Sequence, residues 1–485
     1  MKILFAASEC VPYCKTGGLA DVVGALSETL AGRRHQVQVM LPLYRAIDRK
    51  AGRLKPLGRT FSIQMAGREE QGSLWEARPR PNLRVIFIES AYFFDRPGIY
   101  GDKPGADFVD NDFRYAFFCR AALEAAKTLG LKPDLVHCHD WQTGLISAHL
   151  KTTYRGDPDF PKTASLFTIH NMAYQGNFPK TSFPGTGLPD EAFRPGGLEF
   201  YGQVNYLKAG LVYSDAVNTV SPTYAREILS GPEFGCGLEG VLQQKRDRFV
   251  GILNGLDLKY WNPKTDPFLT EKFDEQTLAD RNSCKEDLQR TLELAVDSET
   301  PIAAFIGRLD RQKGIDVLIE ISASLLAHGF QILTLGVGHL DYVQPLERLR
   351  DRYPSQVRVI TSFSEQLAHR IYGGSDLFLM PSRYEPCGLS QMIAMRYGSL
   401  PVVTPTGGLM DTVSPISGSK KGTGFLASGK TPGAFLSAIM GALEILKNPE
   451  KKMAAQKRAM TSDFSWASSV KAYEQFYRRA ASWRA

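Results

Sequence analysis

Short apolar runs alternate with longer amphipathic stretches along the whole chain, the pattern of strand followed by helix in parallel α/β architecture. In the first half, residues 3–7, 37–41, 85–88, 135–138, 166–169 and 216–220 read as strands. In the second half, residues 302–306, 332–335, 357–360, 377–380 and 401–404 do the same. Helical periodicity fills the intervals, as at 21–30, 112–129, 316–327 and 390–397. The pattern predicts two Rossmann-like, doubly wound domains in series. The polar segment Gln243-Gln244-Lys245-Arg246 precedes the run 250–253, so the expected division is 1–246, 247–460 and a final helix in 461–485. That helix carries Trp466, Val470, Tyr473, Phe476 and Tyr477 at helical spacing, and it follows the completed second sheet. Its apolar stripe must dock on something already folded, and the expected partner is the N-terminal domain. Open α/β sheets bind ligands beyond the carboxyl ends of their strands. Two such domains facing each other across a deep cleft would present their strand ends to one ligand.

Size agrees with two domains, because 485 residues exceed what one core holds (about 250–300). Apolar residues make up 43% and charged residues 22%, ordinary for a globular protein. The 58 Lys and Arg against 51 Asp and Glu give +7, scattered in short stretches such as Arg33-Arg34 and Lys451-Lys452. No arginine-rich block with interleaved aromatics is present, which disfavours nucleic-acid binding. The surplus suits an anionic small molecule or simply a solvated surface. The seven cysteines form no CxxC pair and are odd in number. They read as reduced thiols of a cytoplasmic protein. Met1-Lys2 leads straight into a strand, leaving no room for a signal or transit peptide, and no apolar span is long enough to cross a membrane.

One phrase occurs twice. Gly17-Gly18-Leu19-Ala20-Asp21-Val22-Val23 reappears as Gly407-Gly408-Leu409-Met410-Asp411-Thr412-Val413, each copy following an apolar run and opening a helix. A Gly pair there lets backbone approach a ligand, and the helix start offers unpaired N–H groups to an anion. Lys15 adds a point charge beside the first copy. Two chance helix caps would read alike; matching copies in both halves favour a shared phosphate-bearing ligand. Four clusters fall after strands: Ser8-Glu9 with Lys15-Thr16-Gly17-Gly18; His137-Cys138-His139-Asp140-Trp141; Thr168-Ile169-His170-Asn171; and Gly307-Arg308-Leu309-Asp310 and Lys313-Gly314 with Arg383-Tyr384-Glu385-Pro386-Cys387-Gly388-Leu389. Arg308 and Lys313 place two fixed cations at a strand end, as a diphosphate leaving group needs, although a surface Arg and Lys beside a helix start would look alike. Glu385 can accept from sugar hydroxyls or offset positive charge, or merely cap the helix after Leu389.

Other chemistries find less support. His137, His139 and Asp140 have ligand-like spacing, but no HExxH or CxxC accompanies them, so no metal is expected. Asp110-Asn111-Asp112 spells D-x-D but opens a helix, where acidic residues favour the dipole. Gly336-Val337-Gly338 lacks the third glycine of a dinucleotide fingerprint, and neither G-x-S-x-G nor a P-loop occurs.

The motifs together resemble the bacterial glycogen synthases and plant starch synthases, retaining glucosyltransferases of the two-Rossmann GT-B architecture. The likeness runs nearly end to end, through Lys15-Thr16-Gly17-Gly18-Leu19-Ala20-Asp21-Val22, His139-Asp140-Trp141, His170-Asn171, Asn254-Gly255-Leu256-Asp257, Arg308 with Lys313-Gly314, Pro381-Ser382-Arg383-Tyr384-Glu385-Pro386-Cys387-Gly388-Leu389 and Thr406-Gly407-Gly408-Leu409. The absence of a transit peptide favours the bacterial branch. The resemblance implies ADP-glucose as donor, an α-1,4-glucan such as glycogen as acceptor, and neither metal nor other cofactor. It implies that Lys15, Arg308, Lys313 and the amides at Gly407 and Gly408 hold the diphosphate, with His170 and Glu385 on the glucosyl ring. Gly17, Gly18, Asn254, Cys387, Gly388, Leu389 and Thr406 would complete the donor site, and Phe363 would stack on adenine. Glu9, Asp21, Asp140, Trp141 and Asn171 fall to the sugar and acceptor side. Many related transferases carry a second Glu eight positions after the first, for ribose; here that position is Ile393. The rival readings are a transferase using UDP-glucose and a non-catalytic glycan-binding relative, which would be expected to have lost cleft charges. Neither oligomeric state nor acceptor chain length is legible.

Overall fold

The computed structural model describes residues 1–103, 105–362, 364–416 and 421–484. They form two compact units, Met1–Gly255 joined by the chain from Trp466 on, and Leu256–Ser465.

The first unit is built on β1 (Lys2–Ala6), α1 (Gly18–Gly32), β2 (Gln36–Pro42), β3 (Lys55–Met65), β4 (Arg68–Arg80), β5 (Leu83–Glu89), α2 (Asn111–Thr128), β6 (Leu135–His139), α3 (Gly144–Lys151), β7 (Ala164–Ile169), α4 (Tyr206–Tyr213), β8 (Ala216–Thr219) and β9 (Phe249–Gly251). Among the described residues its main sheet runs in the order β9-β8-β7-β6-β1-β2-β5-β4-β3. The strands from β9 to β5 pair in parallel, and β4 and β3 close one edge antiparallel. Ile3, Leu4, Phe5 and Ala6 of the central β1 are fully buried, which is why that strand reads as a continuous apolar run. Ala66 and Gly67, both at positive φ, make the tight turn between β3 and β4.

The terminal helix, Trp466–Arg484, packs its buried face (Val470, Tyr473, Phe476, Tyr477 and Ala480) against α1 and β7 of this unit. Glu474 fastens it, accepting from Arg33 Nε and Nη2 at 2.7 and 2.8 Å, with His35 Nε2 3.1 Å away. The Arg33 hydrogen bond is the largest cause holding the Glu474 carboxyl down at about 2. A depressed folded value means stability present above the unfolded value and lost as the carboxylate is protonated. Glu474→Gln is therefore expected to cost about 1–2 kcal/mol at neutral pH, since Arg33 is partly exposed. Urea titrations of both proteins should converge as pH falls from about 4.5 towards about 2; a pH-independent difference would mean that packing, not charge, is at stake.

The second unit is built on β10 (Ile302–Ile306), α5 (Ile315–Ala327), β11 (Gln331–Leu335), β12 (Val357–Ile360), β13 (Leu377–Met380), α6 (Ser390–Arg396), β14 (Leu400–Val403), α7 (Gly407–Thr412) and β15 (Phe425–Leu426). Its sheet, in the order β12-β11-β10-β13-β14-β15, is parallel throughout the described residues. The order reverses between β10 and β13, so a crevice opens beyond their carboxyl ends. Asp376, before β13, is 1% exposed and lies 2.8 Å from Lys285 and 2.7 Å from Lys452. Burial disfavours its charge, but the two lysines overcome this and hold the carboxyl well below its ordinary range.

The boundary lies at Gly255–Leu256 rather than at residue 246, because residues 249–251 pair with β8 and belong to the first sheet. The β3–β4 hairpin, absent from the sequence reading, is exposed along much of β3 and so lacks a long apolar run. Among the described residues no helix is long and apolar enough to cross a membrane. No disulfide forms, and all the cysteines but the partly buried Cys236 are buried.

Candidate active site

In the first unit, Glu9 follows β1 and turns its buried carboxylate onto the glycine loop. Oε1 accepts from Thr16 Oγ1 at 2.7 Å and from Tyr100 Oη at 2.5 Å. Oε2 accepts from the amides of Thr16 and of Gly17, the latter at 3.1 Å. Both oxygens are thus committed to shaping the loop that delivers Gly18 as the first residue of α1. Lys15 Nζ rests 2.8 Å from Asp21 Oδ1, both half-exposed, a contact worth little against an incoming phosphate.

Next to this loop, β6 and β7 end side by side. Asp140, just past β6, has φ of 56° and ψ of −178°, a conformation left mostly to glycine and costing about 1–3 kcal/mol. Its amide donates to Thr168 O at 3.0 Å, and its Oδ1 accepts from the His170 amide at 2.7 Å. Burial, the dominant cause, pushes the Asp140 carboxyl up to about 7 against the hydrogen bonds it accepts from the His170 and Asn171 amides. His170 Nε2 lies 3.0 Å from His139 Nδ1, and burial pushes His170 down to about 3, so its imidazole is neutral. Asn171 Oδ1 accepts from the Ala173 amide. Asn254, 4% exposed, has no hydrogen-bond partner for Oδ1 among the described residues, the state of a group shaped for a ligand.

In the second unit, Arg308 and Lys313 flank the turn after β10. Arg308 Nη1 lies 2.6 Å from Asp310 Oδ2, and Nη2 donates to Gln312 Oε1 at 2.7 Å. Lys313 Nζ donates to Glu385 Oε2 at 2.6 Å, and Ser382 Oγ reaches the same oxygen at 3.1 Å. The Gly408 amide donates to the Glu385 carbonyl at 3.0 Å, tying the second glycine turn to the Glu385 loop. Thr406 precedes α7, and Gly407 and Gly408 open it. Cys387 is buried, Gly388 has φ of 71°, and Leu389 precedes α6. The turn at Gly314 needs glycine twice over, for its φ of 70° and because a Cβ would lie 1.9 Å from Pro381 O.

One residue expected on the sugar and acceptor side is enclosed in the structure. Trp141, 8% exposed, is packed edge-on by Tyr115 and Phe178, so its indole supports the loop. His137 has both ring nitrogens occupied, by Tyr477 Oη at 3.0 Å and Thr168 Oγ1 at 2.6 Å. Asp110 precedes α2 and is gripped by Arg96 through two contacts of 2.7 Å. Gly336 and Gly338 let the loop after β11 lie against Gly307 and Leu309. Ile393 is buried inside α6. Phe363 lies outside the described residues. Tyr100 and Ser382 were not singled out by sequence reasoning; Tyr100 stands 91 residues from Glu9, beyond any local signal.

The paired glycines separate two roles. A Cβ on Gly17 would meet nothing within 4 Å, whereas one on Gly408 would lie 2.1 Å from Cys387 O. Gly17→Ala is therefore expected to keep its melting temperature, and to lose donor affinity if the loop meets the donor, because its methyl would project into open space. Gly408→Ala is expected to destabilise the second unit by about 1–3 kcal/mol through overpacking. Thermal melts and donor KM for both variants check this; a Gly17→Ala enzyme with unchanged KM would remove the loop from the donor site.

The family model described as starch synthase catalytic domain matches residues 2–244, and that described as glycosyl transferases group 1 matches residues 292–461. A glycogen synthase of Anaeromyxobacter sp. (strain Fw109-5) is 44% identical over 482 residues, covering 99% of this chain and all of its own. The catalytic domain of starch synthase IV from Arabidopsis thaliana, solved bound to ADP and acarbose, superposes with a TM-score of 0.92 at 34% identity, covering 99% of each chain. Sucrose-phosphate synthase from Thermosynechococcus elongatus, at 19% identity and a TM-score of 0.60 over 99% of this chain, shares the fold. Matched over its whole length and built on two parallel-sheet Rossmann-like units, the chain belongs to the glycogen and starch synthase family of GT-B glycosyltransferases.

Proposed function

We propose that the enzyme transfers glucose, with retention, from ADP-glucose to the non-reducing end of an α-1,4-glucan and releases ADP. The observation that carries this reading is the second unit's Lys313–Glu385 pair, beside Arg308 and tied to the Gly408 turn. Cations for a diphosphate and a carboxylate for a sugar thus share one strand-end crevice. The relative solved with ADP and acarbose supports a nucleotide and a glucan as ligands. Lys15, Arg308, Lys313 and the helix openings at Gly18 and Gly407 hold the diphosphate, while the Gly17 and Gly408 amides, given to Glu9 and to the Glu385 carbonyl, act by setting the two turns. Glu385, His170 and Asn254 address the glucosyl ring, and Asp140 and Asn171 the acceptor side. Glu9 acts through the loop it shapes.

As the bond from the anomeric carbon to the phosphate oxygen breaks, the ring gains oxocarbenium character and the diphosphate gains charge. Preorganised cations and amides stabilise that charge most at the transition state. The acceptor hydroxyl forms the new bond on the face the phosphate leaves, and its proton passes to the departing phosphate. We place the enzyme in the cytoplasm, where cysteines that form no disulfide stay reduced.

Competition between ADP-glucose and UDP-glucose with glycogen as acceptor tests the reading. Elongation from ADP-glucose is expected, and exclusive use of UDP-glucose would overturn the donor assignment. Because side-chain cations supply the positive charge, exhaustive chelation is expected to leave most of the rate. A near-complete loss restored by Mg²⁺ or Mn²⁺ would assign the metal a role, with Asp110 and Asp112 as its first candidate ligands.

A further inference from the structure

The proton inventory around β6 and β7 goes further than the site's position. Thr168 Oγ1 donates its single hydrogen to Asn218 Oδ1 at 2.6 Å, so towards His137 Nε2, also at 2.6 Å, it accepts. His137 is then protonated on Nε2 and accepts on Nδ1 from Tyr477 of the terminal helix at 3.0 Å. Its ring lies 4.1 Å from that of His139, and Phe5 packs against both, 4.8 Å from His137 and 5.5 Å and 17° from His139. Packed in this aromatic cluster, His139 places Nδ1 3.0 Å from His170 Nε2. Its own Nε2 is buried with no hydrogen-bond partner among the described residues.

Two neutral imidazoles share one hydrogen at that contact, and the buried Nε2 decides who supplies it. If His170 donated, His139 would carry its hydrogen on Nε2, leaving a buried N–H without an acceptor. If His139 donates from Nδ1, only a lone pair is left unmatched. Orphaned buried donors are the rarer of the two. Burial lowers both imidazoles' affinity for a second proton, keeping the pair neutral. We infer that His139 is a positioning residue: its Nδ1–H donates to His170 Nε2 and obliges His170 to present Nδ1–H at the end of β7. His170 Nδ1 has no partner among the described residues, so this hydrogen is available to a ligand oxygen. His170 then serves as a hydrogen-bond donor to a substrate hydroxyl and not as a base. This rests on the proposed glucosyl transfer for its consequence, but the tautomer itself does not.

Long-range nitrogen–proton correlation spectra of the full-length protein labelled with ¹⁵N-histidine, with His170→Gln to assign the signals, test it directly. The expected result is a protonated Nδ1 and a bare Nε2 on His170; the reverse overturns the inference whether or not the enzyme transfers glucose. In parallel, His139→Asn keeps a donor at the Nδ1 position, His139→Asp offers only an acceptor, and His139→Leu offers neither. His139→Leu and His139→Asp are expected to lose kcat by about tenfold, one hydrogen bond's worth, with His139→Asn losing clearly less. Equal losses in all three would reduce His139 to packing. Wild-type protein that elongates no glucan would sink the function while leaving the tautomer readable.

Discussion

Arg308→Ala and Lys313→Ala are each expected to lower kcat by about 10²–10³, or 2.7–4 kcal/mol, with a much smaller rise in donor KM. The diphosphate is already charged in the bound donor, so both cations contribute some ground-state affinity. Bond cleavage then moves further negative charge onto the bridging oxygen, where a fixed cation gains most. Arg308 is held by Asp310 and Gln312, which orient its half-exposed side chain. Arg308→Lys should rescue little if the planar guanidinium engages two phosphate oxygens. Steady-state kinetics with varied donor decides the matter. Should both alanine variants keep near-normal kcat and simply need more donor, the leaving-group role would pass to Lys15 and the helix opening at Gly407.

Glu385→Ala is expected to be as severe, by about 10²–10³ in kcat, for two coupled reasons. The carboxylate would lose its hold on the sugar ring, and Lys313 would lose the 2.6 Å partner that aims it. Glu385→Gln, which keeps the shape but not the charge, should fall between Ala and wild type. Because Lys313 and Glu385 act as a unit, Lys313→Ala combined with Glu385→Ala should cost little more than the worse single change. Strict additivity in that double-mutant cycle would mean that the pair is independent and that Glu385 acts on the sugar alone.

Most parallel strands of both units were legible because they are locally apolar runs, buried on both faces in β1 and β13. The glycine turns and the strand-end cations were legible because their chemistry lies in adjacent residues, as in Thr406-Gly407-Gly408 and Arg308 with Lys313. The β3–β4 hairpin escaped because an exposed edge strand needs few apolar positions. Residues 247–255 also escaped, because strand pairing, not composition, assigns a short segment to its sheet. The sequence by itself determined most of the elements, the two-sheet architecture and the residue types gathered at the strand ends. Tertiary structure alone decided which of those side chains are free to act. Glu9 is consumed by Tyr100, 91 residues away, His139 meets His170 across 31 residues, and Lys313 meets Glu385 across 72. Hydrogen-bond inventory and burial are properties of such distant pairs, and no local pattern along the chain encodes them.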